Sequence, residues 1–151
     1  MQLTPHFSDA ELGVADAPNL QVLANAVYIC QILLEPIREK FGPVNVHDGY
    51  RPPAHNAAVG GKATSYHLYA GAQSAADIDA LPTPYQELFD WIRLASGLPF
   101  DKVILEYAEG VEPPTPACVH LQVDRAVAPR RLAYTGNTGA GTAYIPQQVN
   151  P

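Results

Sequence analysis

Basic residues are scarce in this chain, and their scarcity limits the partners it can bind. Its 151 residues include nine lysines and arginines against fifteen aspartates and glutamates, which gives a formal net charge of −6. Nucleic acids and anionic membranes attract proteins through basic patches. We therefore expect no nucleic acid among its partners.

Long apolar runs and cysteines are also few. No uninterrupted apolar run approaches the roughly 18 residues of a membrane-spanning helix, so we expect no membrane insertion. The first residues, MQLTPHFSDAELG, lack the basic start and apolar core of a secretory signal peptide, which predicts a protein made in the cytoplasm without one. The two cysteines, Cys30 and Cys118, are too few for a disulfide framework.

The spacing of apolar residues predicts an α+β fold. One helical stripe runs from Leu20 to Phe41 and is interrupted by Pro36, and a second helix is predicted over residues 83–95. Alternating apolar residues predict short strands at 44–47, 75–78, 103–105 and 117–123. The tail after Arg130 is rich in glycine and threonine and reads as loop, with a terminal strand at 143–145. We expect one domain over residues 1–151, a monomer, with N-terminal helices packed on a small, mainly antiparallel sheet.

Three polar residues stand in or beside these apolar strands. His67 follows a glycine-rich loop, Asp77 lies within the strand over 75–78, and His120 lies between Val119 and Leu121. A charged or polar group in such a setting is costly unless it is paired or binds a cation. Two imidazoles and a carboxylate form a three-ligand zinc set that leaves one position open, as catalytic sites do.

Five segments in this order resemble the zinc D-Ala-D-Ala carboxypeptidase-like peptidases of peptidoglycan, a group that includes many phage endolysins. The resemblance extends over roughly residues 4–146 and implies the D-Ala-D-Ala carboxypeptidase/hedgehog-like form of the α+β fold. The segments are LLEPIREKFGPVNVHDGYRPPAHNAAVGG, SYH at 65–67, AADI at 75–78, FDKVILE at 100–106 and CVHLQV at 118–123.

The resemblance implies a role for each matching residue. His67, Asp77 and His120 are implied to bind Zn²⁺, Arg51 to grip a carboxylate or carbonyl of the substrate, and Ser65 to order the ligand loop or bind substrate. Glu106, at the end of the strand over 103–105, matches an acid of the family pattern. It is the predicted general base, provided that its strand pairs with the strand of His120 and that both side chains share a face.

The sequence departs from the family pattern in two places. Asp77 lies ten residues after His67, against a usual interval of about seven, which predicts a longer loop and leaves Asp79 as an alternative ligand on the same strand face. Some relatives carry a glutamate three residues before the last histidine or a histidine two before it. Ala117 and Cys118 occupy those positions here, and neither is a persuasive base.

The implied activity is zinc-dependent hydrolysis of a peptide bond in the peptidoglycan stem or cross-link. The absence of a signal peptide favours a phage lysin that reaches the periplasm or cell wall through a holin, or one carried in a virion. A non-haem iron oxygenase is disfavoured because its usual HxD pair is absent. A non-catalytic, zinc-containing wall-binding or structural module remains the alternative.

Overall fold

The computed structural model describes residues 1–138 and 143–151. Its helical elements are α1 (Leu20–Ile29), a π segment (Cys30–Leu34), α2 (Glu35–Phe41), α3 (Pro53–Ala58), a 3₁₀ turn (Tyr66–Leu68) and α4 (Tyr85–Leu94). Its strands are β1 (Asn45–Asp48), β2 (Gln73–Asp79), β3 (Lys102–Tyr107), β4 (Pro116–Asp124), β5 (Leu132–Asn137) and β6 (Ile145–Gln147).

The strands form one six-stranded sheet in the order β1-β2-β4-β3-β5-β6. All neighbours are antiparallel except β3 and β5, which are parallel. Helices pack against this mixed sheet around a single buried apolar cluster. The predicted α+β fold with a mainly antiparallel sheet is therefore confirmed.

The two faces of the central strands differ as their alternating residues predict. Val103, Leu105, Val119 and Leu121 are fully buried in the apolar cluster that the helices cover. The alternate residues point to the other face, and they include Glu106 on β3 and Cys118 and His120 on β4. Hydrophobic burial on one face thus sets the direction of the polar side chains on the other.

The predicted N-terminal helix is one helical stretch with a π segment in its middle. The amide of Glu35 bonds the carbonyl of Cys30, five residues earlier. Pro36 has no amide hydrogen for the regular ladder, so the interruption predicted at this proline takes the form of a wider turn just before it. By length and composition alone, the stretch Leu20–Phe41 could cross a membrane, and 44% of its apolar window is buried inside the fold. Its buried residues, such as Ala26, Ile29 and Leu33, belong to the apolar core.

The C-terminal tail contains more strand than its composition predicts. Residues 132–137, read from sequence as loop, form β5 alongside β3, and the terminal strand lies at Ile145–Gln147 instead of 143–145. The segment LAYTGN carries glycine and asparagine, which disfavour strands. Its pairing with β3 and the burial of Ala133 in the core outweigh that local preference.

The longer loop between His67 and Asp77 is anchored on α1. Asn25 is fully buried, and its Nδ2 donates to the carbonyls of Tyr69 at 2.9 Å and Gly71 at 3.0 Å. The buried hydroxyl of Tyr69 donates to the carbonyl of Ala75 at 3.0 Å. The additional residues therefore form a fixed segment that leads directly into β2.

Candidate metal centre

Three separate elements bring His67, Asp77 and His120 together. His67 lies on the 3₁₀ turn, Asp77 on β2 and His120 on β4, and the register of β2 and β4 sets Asp77 directly opposite His120. One ligand atom from each side chain lies within 4.8 Å of the other two. The three residues that the sequence singled out thus form one cluster.

The imidazole of His67 is held by its neighbours on both sides. Its Nδ1 lies 2.7 Å from the carbonyl of Gly49, and its Nε2 lies 3.4 Å from Oδ2 of Asp77. A Cβ atom at position 49 would lie 2.6 Å from the carbonyl oxygen of Leu12. Only glycine therefore allows the backbone at Leu12 to pack this closely against the backbone at position 49. Because the Gly49 carbonyl accepts the Nδ1 proton, Nε2 is the nitrogen free to bind a metal.

Ser65 stabilises the turn that carries His67. Its Oγ accepts a hydrogen bond from the backbone amide of His67 at 3.3 Å, as the N-cap of the 3₁₀ turn. This contact matches the implied part of Ser65 in ordering the ligand loop. Its binding of substrate remains a prediction.

His120 lies between two acceptors. Its Nδ1 is 2.8 Å from Oδ1 of Asp77, and its Nε2 is 3.1 Å from Oε1 of Gln122. The residue is only 8% exposed. Burial lowers the pKa of His120, but the hydrogen bond and charge of Asp77 outweigh this and raise it above the usual range.

Asp77 is the shared partner of both imidazoles. Burial acts to raise its pKa, but hydrogen bonds from His120 and His67 hold the pKa well below the usual range. The guanidinium of Arg51 places a positive charge nearby, with Nη2 at 3.7 Å from Oδ2. Asp77 is therefore ionised at neutral pH, as a metal ligand must be.

Asp79 lies outside this cluster, although it shares the strand face of Asp77. Its carboxylate accepts hydrogen bonds from Asn45 Nδ2 at 2.9 Å and from the amide of Leu81 at 3.0 Å, and it pairs with His47. Through Asn45 and His47, these contacts link β1 to the end of β2. The geometry favours Asp77 over Asp79 as the carboxylate ligand.

The donor set fits a zinc ion. Two imidazole nitrogens and one carboxylate are the ligands that catalytic zinc sites use, with the fourth position left to water or substrate. In each histidine the second ring nitrogen already has an acceptor, the Gly49 carbonyl or the Gln122 amide oxygen. Such outer partners are typical of histidines that bind metals.

Glu106 lies on the same sheet face as the cluster. β3 pairs with β4 so that Ile104 is opposite His120 and Glu106 is opposite Cys118, which is the pairing that the sequence argument required. Burial raises the pKa of Glu106 above its usual range; the charge of His120 partly opposes this and that of Asp77 adds to it. A half-buried carboxylate with a raised pKa, on the sheet face of the metal cluster, is suited to proton transfer.

Two donors hold the Glu106 carboxylate. The thiol of Cys118 donates to Oε2 at 3.6 Å, and the hydroxyl of Tyr144 donates to Oε1 at 3.4 Å. The ring of Tyr144 lies over Gly136, where an added Cβ would come within 2.3 Å of Cδ1. Gly136 pairs with Glu106 across β3 and β5. Because Gly136 has no side chain, the Tyr144 ring has room to lie beside Glu106.

Arg51 reaches the cluster from the loop after β1. Its Nε forms an ion pair with Asp48, its Nη1 donates to Oδ1 of Asn56 at 3.4 Å, and its side chain is 16% exposed. Its backbone amide bonds the carbonyl of His67 at 2.7 Å. The guanidinium is thus oriented beside the cluster, and its contact with substrate remains a prediction.

Several residues around the site were missed from the sequence. Gln122 contacts His120, Tyr144 contacts Glu106, and Asp101 contacts Gln122, yet residue spacing assigns none of them a role in metal binding or catalysis. The signal available for Gln122 was strand alternation, because it shares the face of His120. Nothing comparable marks Tyr144, which enters the site from the far end of the chain.

The family comparison agrees with the fold. A family model described as Peptidase M15 matches residues 2–107, well over half of the chain, and confirms the resemblance seen in the sequence. The match includes His67, Asp77 and Glu106, whereas His120 lies beyond it and is joined to the others by the sheet. A comparison with curated proteins finds no match.

Proposed function

The chain belongs to the peptidase M15 family, and on that premise we propose that it is a zinc peptidase that hydrolyses a peptide bond in the stem or cross-link of peptidoglycan. The observation that carries the proposal is the convergence of His67, Asp77 and His120, with Glu106 on the same face of the sheet. These three side chains would hold a zinc ion, which would supply a Lewis acid for the peptide carbonyl and for water, whose pKa such an ion lowers towards ~7.

Glu106 is the proposed general base and acid. Its carboxylate accepts a proton from the attacking water and then donates it to the nitrogen of the leaving amine as the peptide C–N bond breaks. Burial, which raises the pKa of Glu106, makes its carboxylate a stronger base than an exposed glutamate. The donors Cys118 and Tyr144 keep the carboxylate in place during the transfer.

Arg51 is the proposed anchor for the substrate. Peptidoglycan stems end in D-amino acids or carry diaminopimelate, and both present a free carboxylate. A planar guanidinium binds such a group through two parallel hydrogen bonds. The ion pair of Nε with Asp48 orients the guanidinium, and its Nη2 lies on the side of the cluster, 3.7 Å from Oδ2 of Asp77. Ser65, at the N-cap of the 3₁₀ turn that carries His67, is proposed to contact the substrate as well.

The biological setting that we propose is that of a phage lysin. In that setting, holin release or carriage in a virion would bring the enzyme to the periplasm or cell wall. The formal net charge of −6 is compatible with a peptide substrate, because binding a peptide requires no basic patch. The enzyme is proposed to act as a monomer in the periplasm or cell wall.

Digestion of purified peptidoglycan tests this function directly. Released fragments are analysed by mass spectrometry, with and without a zinc chelator, and the new termini identify the bond that is cut. We expect fragments with wild-type protein and none with chelator or with His120→Ala. Binding to peptidoglycan without any new terminus would instead support the non-catalytic wall-binding module.

A further inference from the structure

A chain of side-chain hydrogen bonds leads from the surface to His120. Two nitrogens of Arg130 donate to the carboxylate of Asp101, each at 2.7 Å. Nε2 of Gln122 donates to Oδ2 of Asp101 at 2.8 Å, and Oε1 of Gln122 faces Nε2 of His120 at 3.1 Å. The Arg130 side chain is 53% exposed, whereas Gln122 and Asp101 are buried.

Arg130, at the outer end of this series of hydrogen bonds, determines which group donates and which accepts in each of them. Arginine has only donors and an ionised carboxylate has only acceptors. Burial acts to raise the pKa of Asp101, but the bonds from Arg130 and Gln122 lower it, so the carboxylate is ionised. Gln122 must then turn its amide nitrogen to Asp101 and its carbonyl oxygen to His120, and that oxygen can only accept the Nε2 proton.

We infer that Arg130, Asp101 and Gln122 form a positioning relay that keeps the proton of His120 on Nε2 and leaves Nδ1 as its metal-binding nitrogen. The inference rests on the proposed function, since it concerns a histidine proposed to bind zinc. Nδ1 is also the nitrogen that faces Asp77.

The two histidines of the cluster are therefore fixed in opposite ways. His67 gives its Nδ1 proton to the carbonyl of Gly49 and presents Nε2 to the metal, whereas His120 presents Nδ1. The backbone supplies the acceptor for the first, and a side-chain relay that reaches solvent supplies it for the second. Outer partners of this kind usually change metal affinity by 10–100-fold when they are removed.

Zinc affinity of relay variants tests the inference. Gln122→Leu keeps the approximate size of the side chain and removes both hydrogen bonds, and Arg130→Gln removes the charge at the outer end. Arg93→Gln is the matched control, because Arg93 also pairs with an aspartate, Asp90, but has no contact with the relay. Dissociation constants are measured by competition with a chromophoric chelator, with melting temperatures as a check of folding.

We expect zinc binding to weaken by roughly 10–100-fold in Gln122→Leu, less in Arg130→Gln and not at all in Arg93→Gln. Wild-type affinity in a folded Gln122→Leu protein would overturn the relay alone. If Gln122→Leu does not fold, the relay stands or falls on Arg130→Gln, for which wild-type affinity is the refuting result. A wild-type protein that binds no zinc would overturn the proposed function and the relay with it.

Histidine ¹⁵N spectra of the zinc-loaded wild-type protein give an independent signature. The relay requires that His120 carries its proton on Nε2, whereas the Gly49 carbonyl places the proton of His67 on Nδ1. A purely structural role of Gln122 would not determine which nitrogen is protonated. A zinc-loaded His120 protonated on Nδ1 would overturn the inference whatever the affinities.

Discussion

Replacement of Glu106 by glutamine separates proton transfer from the rest of the site. The amide has almost the same shape as the carboxylate but cannot accept a proton. If Glu106 is the general base and acid, kcat should fall by about 10²–10⁴-fold. Zinc content should stay at the wild-type value, because Glu106 is not among the three side chains that form the metal cluster.

The cost to stability follows from the two donors on the carboxylate. Oε1 and Oε2 accept from Tyr144 and Cys118 respectively, and glutamine has one acceptor oxygen for these two donors. The Tyr144 hydroxyl can rotate and accept from the amide nitrogen, so at most one weak hydrogen bond is lost. The free energy of unfolding should fall by about 1 kcal/mol or less, which corresponds to about 2–4 °C in Tm.

Hydrolysis of a peptidoglycan stem peptide, followed by chromatography, measures kcat for the variant. Glu109→Gln is the matched control, since Glu109 is an exposed glutamate just beyond β3, and it should leave kcat unchanged. A Glu106→Gln protein with full zinc and a near-wild-type rate would exclude Glu106 from the mechanism. The general base would then be sought at Glu112, or at Glu109 if Glu109→Gln itself loses activity.

Three further substitutions test the other parts of the site. Asp77→Asn should reduce zinc content by elemental analysis and Asp79→Asn should not, because Asp77 alone contacts both histidines; equal losses would contradict the ligand assignment. Arg51→Ala should cost about 2–3 kcal/mol in kcat/KM at constant zinc content, and full activity in Arg51→Lys would count against two-pronged carboxylate binding. Gly136→Ala should lower kcat but not zinc content, because its Cβ displaces Tyr144; unchanged kcat would show that Tyr144 does not support the base.

Sequence patterns predict those features that depend on local alternation and on residue chemistry. Alternation along β4 assigns Val119 and Leu121 to the core and His120 to the opposite face, and burial in the structure agrees. An unpaired carboxylate among apolar strand residues costs free energy, so Asp77 is a candidate metal ligand from the sequence alone. These inferences succeed because each needs only a few neighbouring residues.

Features that depend on distant pairing are not accessible in this way. β5 forms because β3 is available beside it, and its own residues do not favour a strand. Likewise Asp101 and Gln122 meet only through the register of β3 and β4, which no short motif encodes. The contact between Tyr144 and Glu106 requires the same long-range pairing, together with a glycine that leaves space for the ring.

The anchoring of the 69–72 segment on α1 has a consequence for metal uptake. Asn25 and the buried Tyr69 hydroxyl hold the chain between the first two ligands without help from an ion. Folding of the polypeptide therefore already carries much of the entropic cost of ordering the metal ligands. Small zinc domains differ, because they fold only around their metal. Removal of zinc by a chelator should thus abolish activity while the protein stays folded. Zinc added back should then restore activity without a refolding step.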